Sequence, residues 1–201
     1  MNFIAHRRNT IEDLIDTNEK YGIEVDIRSD GEQLIIHHDA FNLGTSFETW
    51  IKNYKHGTLI LNVKEEGLED ALLGVMDDHE IDDFFFLDQS FPFLVKTSRA
   101  GESRCAVRVS EFESIETALA LAGSVDWVWV DCFSRLPIGR CDFYKLKEAG
   151  FKICLVSPEL QGRTAKKNIE ELVTLINNDE IVVDAICSKY IDIWEEVFCD
   201  Q

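Results

Sequence analysis

Short apolar, β-rich runs alternate with amphipathic stretches from one end of the chain to the other, and no other feature limits the possible folds as tightly. The runs are Phe3–His6, Ile23–Arg28, Leu34–His38, Thr58–Lys64, Asp83–Leu87, Arg104–Ser110, Trp127–Asp131, Lys152–Val156 and Asp184–Ser188. Helical spacing falls between most of them. Thr10–Tyr21 carries Ile11, Leu14 and Ile15 on one face, and Ser114–Ala122, Phe143–Ala149 and Ala165–Ile176 read the same way. Gly22, Gly123 and Gly150 stand where helices should stop before the next strand. Such alternation implies a parallel sheet. With eight or so units it implies a compact α/β fold, a (β/α)8 TIM-type barrel, near the roughly 200-residue lower limit for that architecture. An open doubly wound sheet is the alternative. The 201 residues, 45% of them hydrophobic, suit one domain over residues 1–201.

Charge narrows the partners. A formal net charge of -18 should repel nucleic acid and anionic membrane surfaces. An anionic substrate therefore needs local help from a cation or from a few placed Arg and Lys side chains. No stretch of about 18 apolar residues occurs, so no membrane span is expected. The first strand starts at Asn2–Phe3, which leaves no room for a signal peptide, and a cytoplasmic location is the default. Cys105, Cys132, Cys141, Cys154, Cys187 and Cys199 form no CxxC pair and mostly sit in apolar runs, so they are expected to be buried reduced thiols.

In a parallel barrel the chemistry lies at the carboxyl ends of the strands. The first run ends at His6-Arg7. The second carries Glu24 and Asp26, two residues apart and so on one face. Two carboxylates converging in a partly dry mouth repel each other unless a cation lies between them or one is protonated. A hard divalent ion, Mg²⁺ or Ca²⁺, resolves this with oxygen ligands. The third run ends at His37-His38-Asp39; Leu34, Ile36 and His38 share a face, which selects His38. The fourth ends at Asn62-Val63-Lys64, again two polar groups in phase. Each feature alone has a bland explanation, as a structural hydrogen bonder or a solvated face. Four successive segments ending in such residues at one edge of the fold do not.

Ile4-Ala5-His6-Arg7, Asn9-Thr10, Gly22-Ile23-Glu24-Val25-Asp26-Ile27, Asp30-Gly31 and Leu34-Ile35-Ile36-His37-His38-Asp39 together resemble the N-terminal motif of the glycerophosphodiester phosphodiesterase family. That motif runs His-Arg, Glu-Asn-Thr, Glu-x-Asp, Asp-Gly, His-Asp. The wider group is the phospholipase C-like phosphodiesterases. The resemblance implies a metal-dependent phosphodiesterase acting on a small phosphodiester, glycerophosphodiester-like or sugar-bearing. It implies His6 and His38 as acid and base, Glu24 and Asp26 as metal ligands, and Arg7 and Lys64 on phosphate. Two positions depart from the pattern: Arg8 replaces the Glu of Glu-Asn-Thr, and Asn62 replaces a third-ligand Glu. Asn62 can ligate through its carbonyl without adding charge; Glu111 or Asp131 could supplement it. Trp127, Trp129, Phe133, Arg135 and the Ser157–Gln161 loop are candidate pocket walls. The rival is a non-catalytic phosphate- or glycan-binding barrel. A metal-dependent amidohydrolase-type barrel is disfavoured because the first strand lacks a His-x-His pair.

Overall fold

In a computed structural model, residues 1–199 are described, with every side chain among them except that of Cys199. The order is β1 (Asn2–Ala5), α1 (Ile11–Asp16), β2 (Gly22–Asp30), β3 (Gln33–Ile36), β4 (Thr45–Ser46), α2 (Phe47–Ile51), β5 (Leu59–Val63), α3 (Glu69–Asp78), β6 (Phe84–Leu87), α4 (Phe91–Arg99), β7 (Ala106–Val109), α5 (Ile115–Leu119), β8 (Trp127–Val130), α6 (Arg140–Glu148), β9 (Lys152–Val156), a 3₁₀ turn (Pro158–Gln161), α7 (Ala165–Asn178), β10 (Ala185–Ser188) and α8 (Ile191–Cys199).

One curled sheet contains all ten strands. Parallel ladders run β7-β8-β9-β10-β1-β2-β5-β6, and the antiparallel pair β3-β4 hangs from β2. A full ladder does not close the ring. Between β6 and β7 the pairing is a single parallel bridge, Phe86 to Cys105, with the Phe86 N–H donating to the Arg104 carbonyl at 2.8 Å. The expected closed (β/α)8 barrel is thus not complete: eight parallel strands curl like a barrel wall, and β6 and β7 meet only through that one bridge.

Alternation along the strands sorts the apolar side chains into two layers. Ile4, Ile60, Phe85, Leu87, Ala106, Trp127, Trp129, Cys154, Val156, Ala185 and Cys187 pack together inside the curl. The intervening residues, such as Ala5, Leu61, Phe86, Val128 and Leu155, join the larger core beneath the helices. In α7, Ile169, Leu172, Val173 and Ile176 are buried at i, i+3, i+4 and i+7, the spacing of a one-sided helix. Trp127 and Trp129 therefore belong to the interior core, not to a pocket wall.

Several boundaries differ from the sequence reading for physical reasons. The helix after Thr10 stops at Asp16 because the Thr17 hydroxyl donates to the Asp13 carbonyl at 2.7 Å and the backbone turns extended at Thr17. Gly22 ends no helix. It opens β2, where a Cβ would stand 2.5 Å from the Thr58 carbonyl oxygen. Gly123 and Gly150 do take the left-handed backbone that terminates a helix, with φ of 76° and 91°. Leu34–His38 is not a barrel strand. Its regular part ends at Ile36 and runs antiparallel to β2. Of the cysteines, Cys105, Cys132, Cys154 and Cys187 are buried free thiols and Cys141 is an exposed one; the Cys199 side chain lies outside the described residues. No helix among the described residues is long and apolar enough to cross a membrane.

Candidate functional site

The inner layer turns polar at the carboxyl ends of the strands. Two residues beyond Ile4 is His6, beyond Ile60 is Asn62, beyond Ala106 is Arg108 and beyond Trp129 is Asp131. On β2 the change comes earlier, because Glu24 and Asp26 are themselves fully buried. Ladder register sets Asp26 directly opposite Asn62 and Glu24 opposite Ile60.

Around these carboxylates the structure gathers six of the seven residues singled out in the sequence. His6 Nε2 lies 3.7 Å from Glu24 Oε2. Arg7 has φ of 55°, and this left-handed turn points its backbone N–H back at Glu24 Oε2, 2.6 Å away. Its guanidinium Nε reaches Asp26 Oδ2 at 3.2 Å. The Asn62 amide donates to Glu24 Oε1 at 2.7 Å, and Lys64 Nζ lies 3.2 Å from Asp26 Oδ1. Burial, followed by the neighbouring Asp26 charge, pushes the Glu24 carboxyl up to about 7. Burial, aided by the nearby cations Arg7, Lys189 and Lys64, holds His6 down to about 3, so its imidazole is neutral.

His38 is the seventh, and it stands apart. The β2–β3 hairpin brings the chain back to the level of Asp26, whose carbonyl accepts the His37 N–H at 3.2 Å. Both histidines follow the end of β3, so strand alternation does not decide which one faces the site. The His38 ring is partly exposed, with Nδ1 2.7 Å from Asp39 Oδ1; His37 Nδ1 lies 2.9 Å from the Asp39 carbonyl.

Sequence reasoning missed the supports. Asn9 clamps Asp26 twice: its amide donates to Oδ2 at 2.8 Å, and its oxygen accepts the Asp26 N–H at 3.1 Å. Trp50, buried on α2, donates to the Arg8 carbonyl at 3.0 Å and anchors the loop after β1. From Asp26 a chain of ion pairs crosses the strand ends. Lys64 also reaches Asp88 Oδ2 at 3.2 Å; Asp88 binds Arg108; Arg108 Nη1 reaches Asp131 Oδ2 at 2.8 Å; and Gln161 donates to Asp131 Oδ1 at 2.7 Å. The parity of Ala106 and Arg108 was the one sequence signal for this chain. Asp131 is thereby engaged, and Glu111 accepts the backbone N–H groups of Phe133, Ser134 and Arg135, so neither is free to supplement a metal site. Glu159, in the loop after β9, accepts the Ser188 hydroxyl and the Lys189 N–H at 2.7 and 3.0 Å and is a structural brace.

Among the described residues no three His, Cys, Asp or Glu side chains cluster as a metal site. The set at hand is two carboxylates and an amide. Asn62 Oδ1 is a buried oxygen without a hydrogen-bond partner, the state expected of a donor to a hard cation, whereas the buried Asp26 Oδ1 faces Lys64 Nζ at 3.2 Å. Lys64 competes electrostatically for the latter. Glu24, Asp26 and Asn62 thus offer oxygen donors of the type a hard divalent ion takes.

No protein-family model matches the chain, and no curated protein matches its sequence. Solved structures do match. A glycerophosphodiester phosphodiesterase from Agrobacterium tumefaciens str. C58 superposes with a TM-score of 0.66 at 14% identity, covering 99% of both chains. A glycerophosphoryl diester phosphodiesterase from Parabacteroides distasonis ATCC 8503 gives 0.69 at 13% identity, covering 98% of this chain and 86% of the other. The chain therefore has the fold seen in phosphodiesterases of this kind.

Proposed function

We propose that this protein is a metal-assisted phosphodiesterase that cleaves a small glycerophosphodiester-like or sugar-bearing phosphodiester. The observation that carries the proposal is the convergence of His6, Glu24, Asp26 and Asn62 beneath two cationic side chains, Arg7 and Lys64, at the strand ends. Glu24, Asp26 and Asn62 would hold Mg²⁺ or Ca²⁺, which when bound neutralises phosphate oxygens and favours an oxyanion nucleophile.

The chain's own groups divide the remaining work. Arg7 and Lys64, both now paired with Asp26, are placed to turn toward a phosphate. His6, beside Glu24 at the end of β1, would take the proton of an attacking hydroxyl. His38, whose Nδ1 lies 2.7 Å from Asp39 Oδ1, would deliver a proton from Nε2 to the leaving alcohol.

One observation favours a second reading. Asp26 already has two cationic partners, and this is how a phosphate- or glycan-binding protein without metal chemistry would neutralise it. Turnover of bis(p-nitrophenyl) phosphate with Mg²⁺ or Ca²⁺, against a chelated control, separates the two. Metal-dependent cleavage is expected. Absence of cleavage, together with absence of metal binding by calorimetry, would overturn the metal-assisted reading.

A further inference from the structure

The polar ends of the inner layer include one more side chain. Inside the curl β10 contributes Ala185 and Cys187, and two residues beyond Cys187 is Lys189. β1 and β10 pair Ala5 with Ser188, and the His6 N–H donates to the Ser188 carbonyl at 3.0 Å. His6 and Lys189 therefore leave the two strands side by side. The Lys189 charge is felt at His6, behind only Arg7 among the cations.

We propose that Lys189 is a further phosphate-binding residue, which meets the anion from β10 on the opposite side of the β1 strand end from Lys64. The identity of the anion rests on the phosphodiesterase function proposed above. Arg7 and Lys64 are both paired with Asp26, and Arg108 with Asp88 and Asp131. The Lys189 ammonium has no ion-pair or hydrogen-bond partner among the described residues, so it can take an anion without breaking an existing pair. Charge balance at the strand ends points the same way. Glu24, Asp26, Asp88 and Asp131 are four carboxylates, against the three cations Arg7, Lys64 and Arg108; Lys189 makes the numbers equal. In a chain of net charge -18, an approaching anion needs that local balance.

The backbone beneath Lys189 is held by a buried network. Glu159 Oε1 accepts both the Ser188 hydroxyl and the Lys189 N–H. The Ser157 hydroxyl donates to Glu159 Oε2, and Trp194 Nε1 donates to that hydroxyl at 2.8 Å. Ser157, Ser188 and Trp194 are fully buried, so Lys189 is the one exposed member. A buried carboxylate satisfied on both oxygens fixes the point where the lysine leaves β10 and leaves only its stem to adjust. Lys189 also borders a cavity of about 500 Å³ with Arg8, Asp16 and Asp192, which gives that stem room to turn, and neither aspartate pairs with it.

The test is titration of the full chain with dimethyl phosphate, metals chelated, followed by ³¹P NMR in wild type, Lys189→Met, Lys189→Arg and Lys145→Met. Lys189 and Lys145 are both exposed, so the fold tolerates the changes. Saturable binding is expected in wild type. Lys189→Met should weaken it by at least about tenfold, and Lys189→Arg should restore it to within about threefold. Lys145→Met, which removes the same charge from α6, should leave it unchanged. Absence of binding in wild type, equal affinity in wild type and Lys189→Met, or an equal loss in Lys145→Met overturns the proposal. A loss in Lys189→Arg as large as in Lys189→Met also overturns it, since the charge would then not be the cause. Binding of the probe requires neither metal nor turnover, so failure of the phosphodiesterase assay alone strikes only the proposed function.

Discussion

Asn62 donates its side-chain amide to Glu24 Oε1 at 2.7 Å, so a neutral amide from β5 holds one of the two buried carboxylates of β2. The ladder fixes this contact. β5 pairs with β2 in a register that sets Asn62 level with Asp26, inside the curl and 6% exposed.

Asn62→Glu is therefore expected to tighten Mg²⁺ or Ca²⁺ binding in the absence of substrate by about tenfold or more, since ligand charge is a main control on affinity for hard cations. Isothermal titration of both proteins checks this. Equal affinities would show that position 62 lies outside the coordination sphere.

His6→Ala and His38→Ala should each reduce phosphodiester turnover by about 10²–10⁴-fold, the usual contribution of a positioned acid or base. His37→Ala is the necessary control, because both histidines follow the end of β3 and only one can serve. A large loss in His37→Ala with none in His38→Ala would reassign the acid, and unchanged rates in both His6→Ala and His38→Ala would remove the mechanism.

Lys64→Met should destabilise the metal-free fold by roughly 2–4 kcal/mol in urea unfolding, because it leaves the fully buried Asp26 with one cation fewer. Adding Asp26→Asn should recover part of that loss, and the double-mutant cycle measures the coupling. Strict additivity would mean that the 3.2 Å pair contributes nothing.

The pH dependence of stability should carry a contribution from Glu111. Burial presses this carboxyl upward, but the backbone N–H groups of Ser134 and Arg135 and the Ser134 hydroxyl outweigh it and hold the group at about 2, below the ordinary 4.5. A depressed carboxyl stabilises the fold above its unfolded pKa and loses that effect as pH falls through the folded one. Glu111→Gln should thus be less stable than wild type above about pH 4.5, with the gap closing as pH falls toward 2. Thermal unfolding across this range is the measurement, and a gap independent of pH would exclude the charge as its source.

The amino-acid sequence by itself determined the alternation of strands and helices, and with it the parallel sheet. Strand periodicity is local: Ile60 and Asn62 share a face because of backbone geometry, whatever the neighbours. Glu24 and Asp26 were legible on the same ground, and the resemblance picked out His6, Arg7 and Lys64 beside them. His38 was not decided, because alternation stops counting where β3 ends, and the hairpin's antiparallel return is a matter of pairing across chain segments. Asn9 gave no signal of its own; its clamp on Asp26 exists only once the loop after β1 folds over β2. The same holds for the chain from Lys64 through Asp88 and Arg108 to Asp131, whose members are far apart in sequence and adjacent only at the strand ends. The seam was equally hidden. Whether β6 and β7 join by a ladder or by one bridge depends on how the whole sheet curls, and that is set by packing summed over every strand rather than by any one of them.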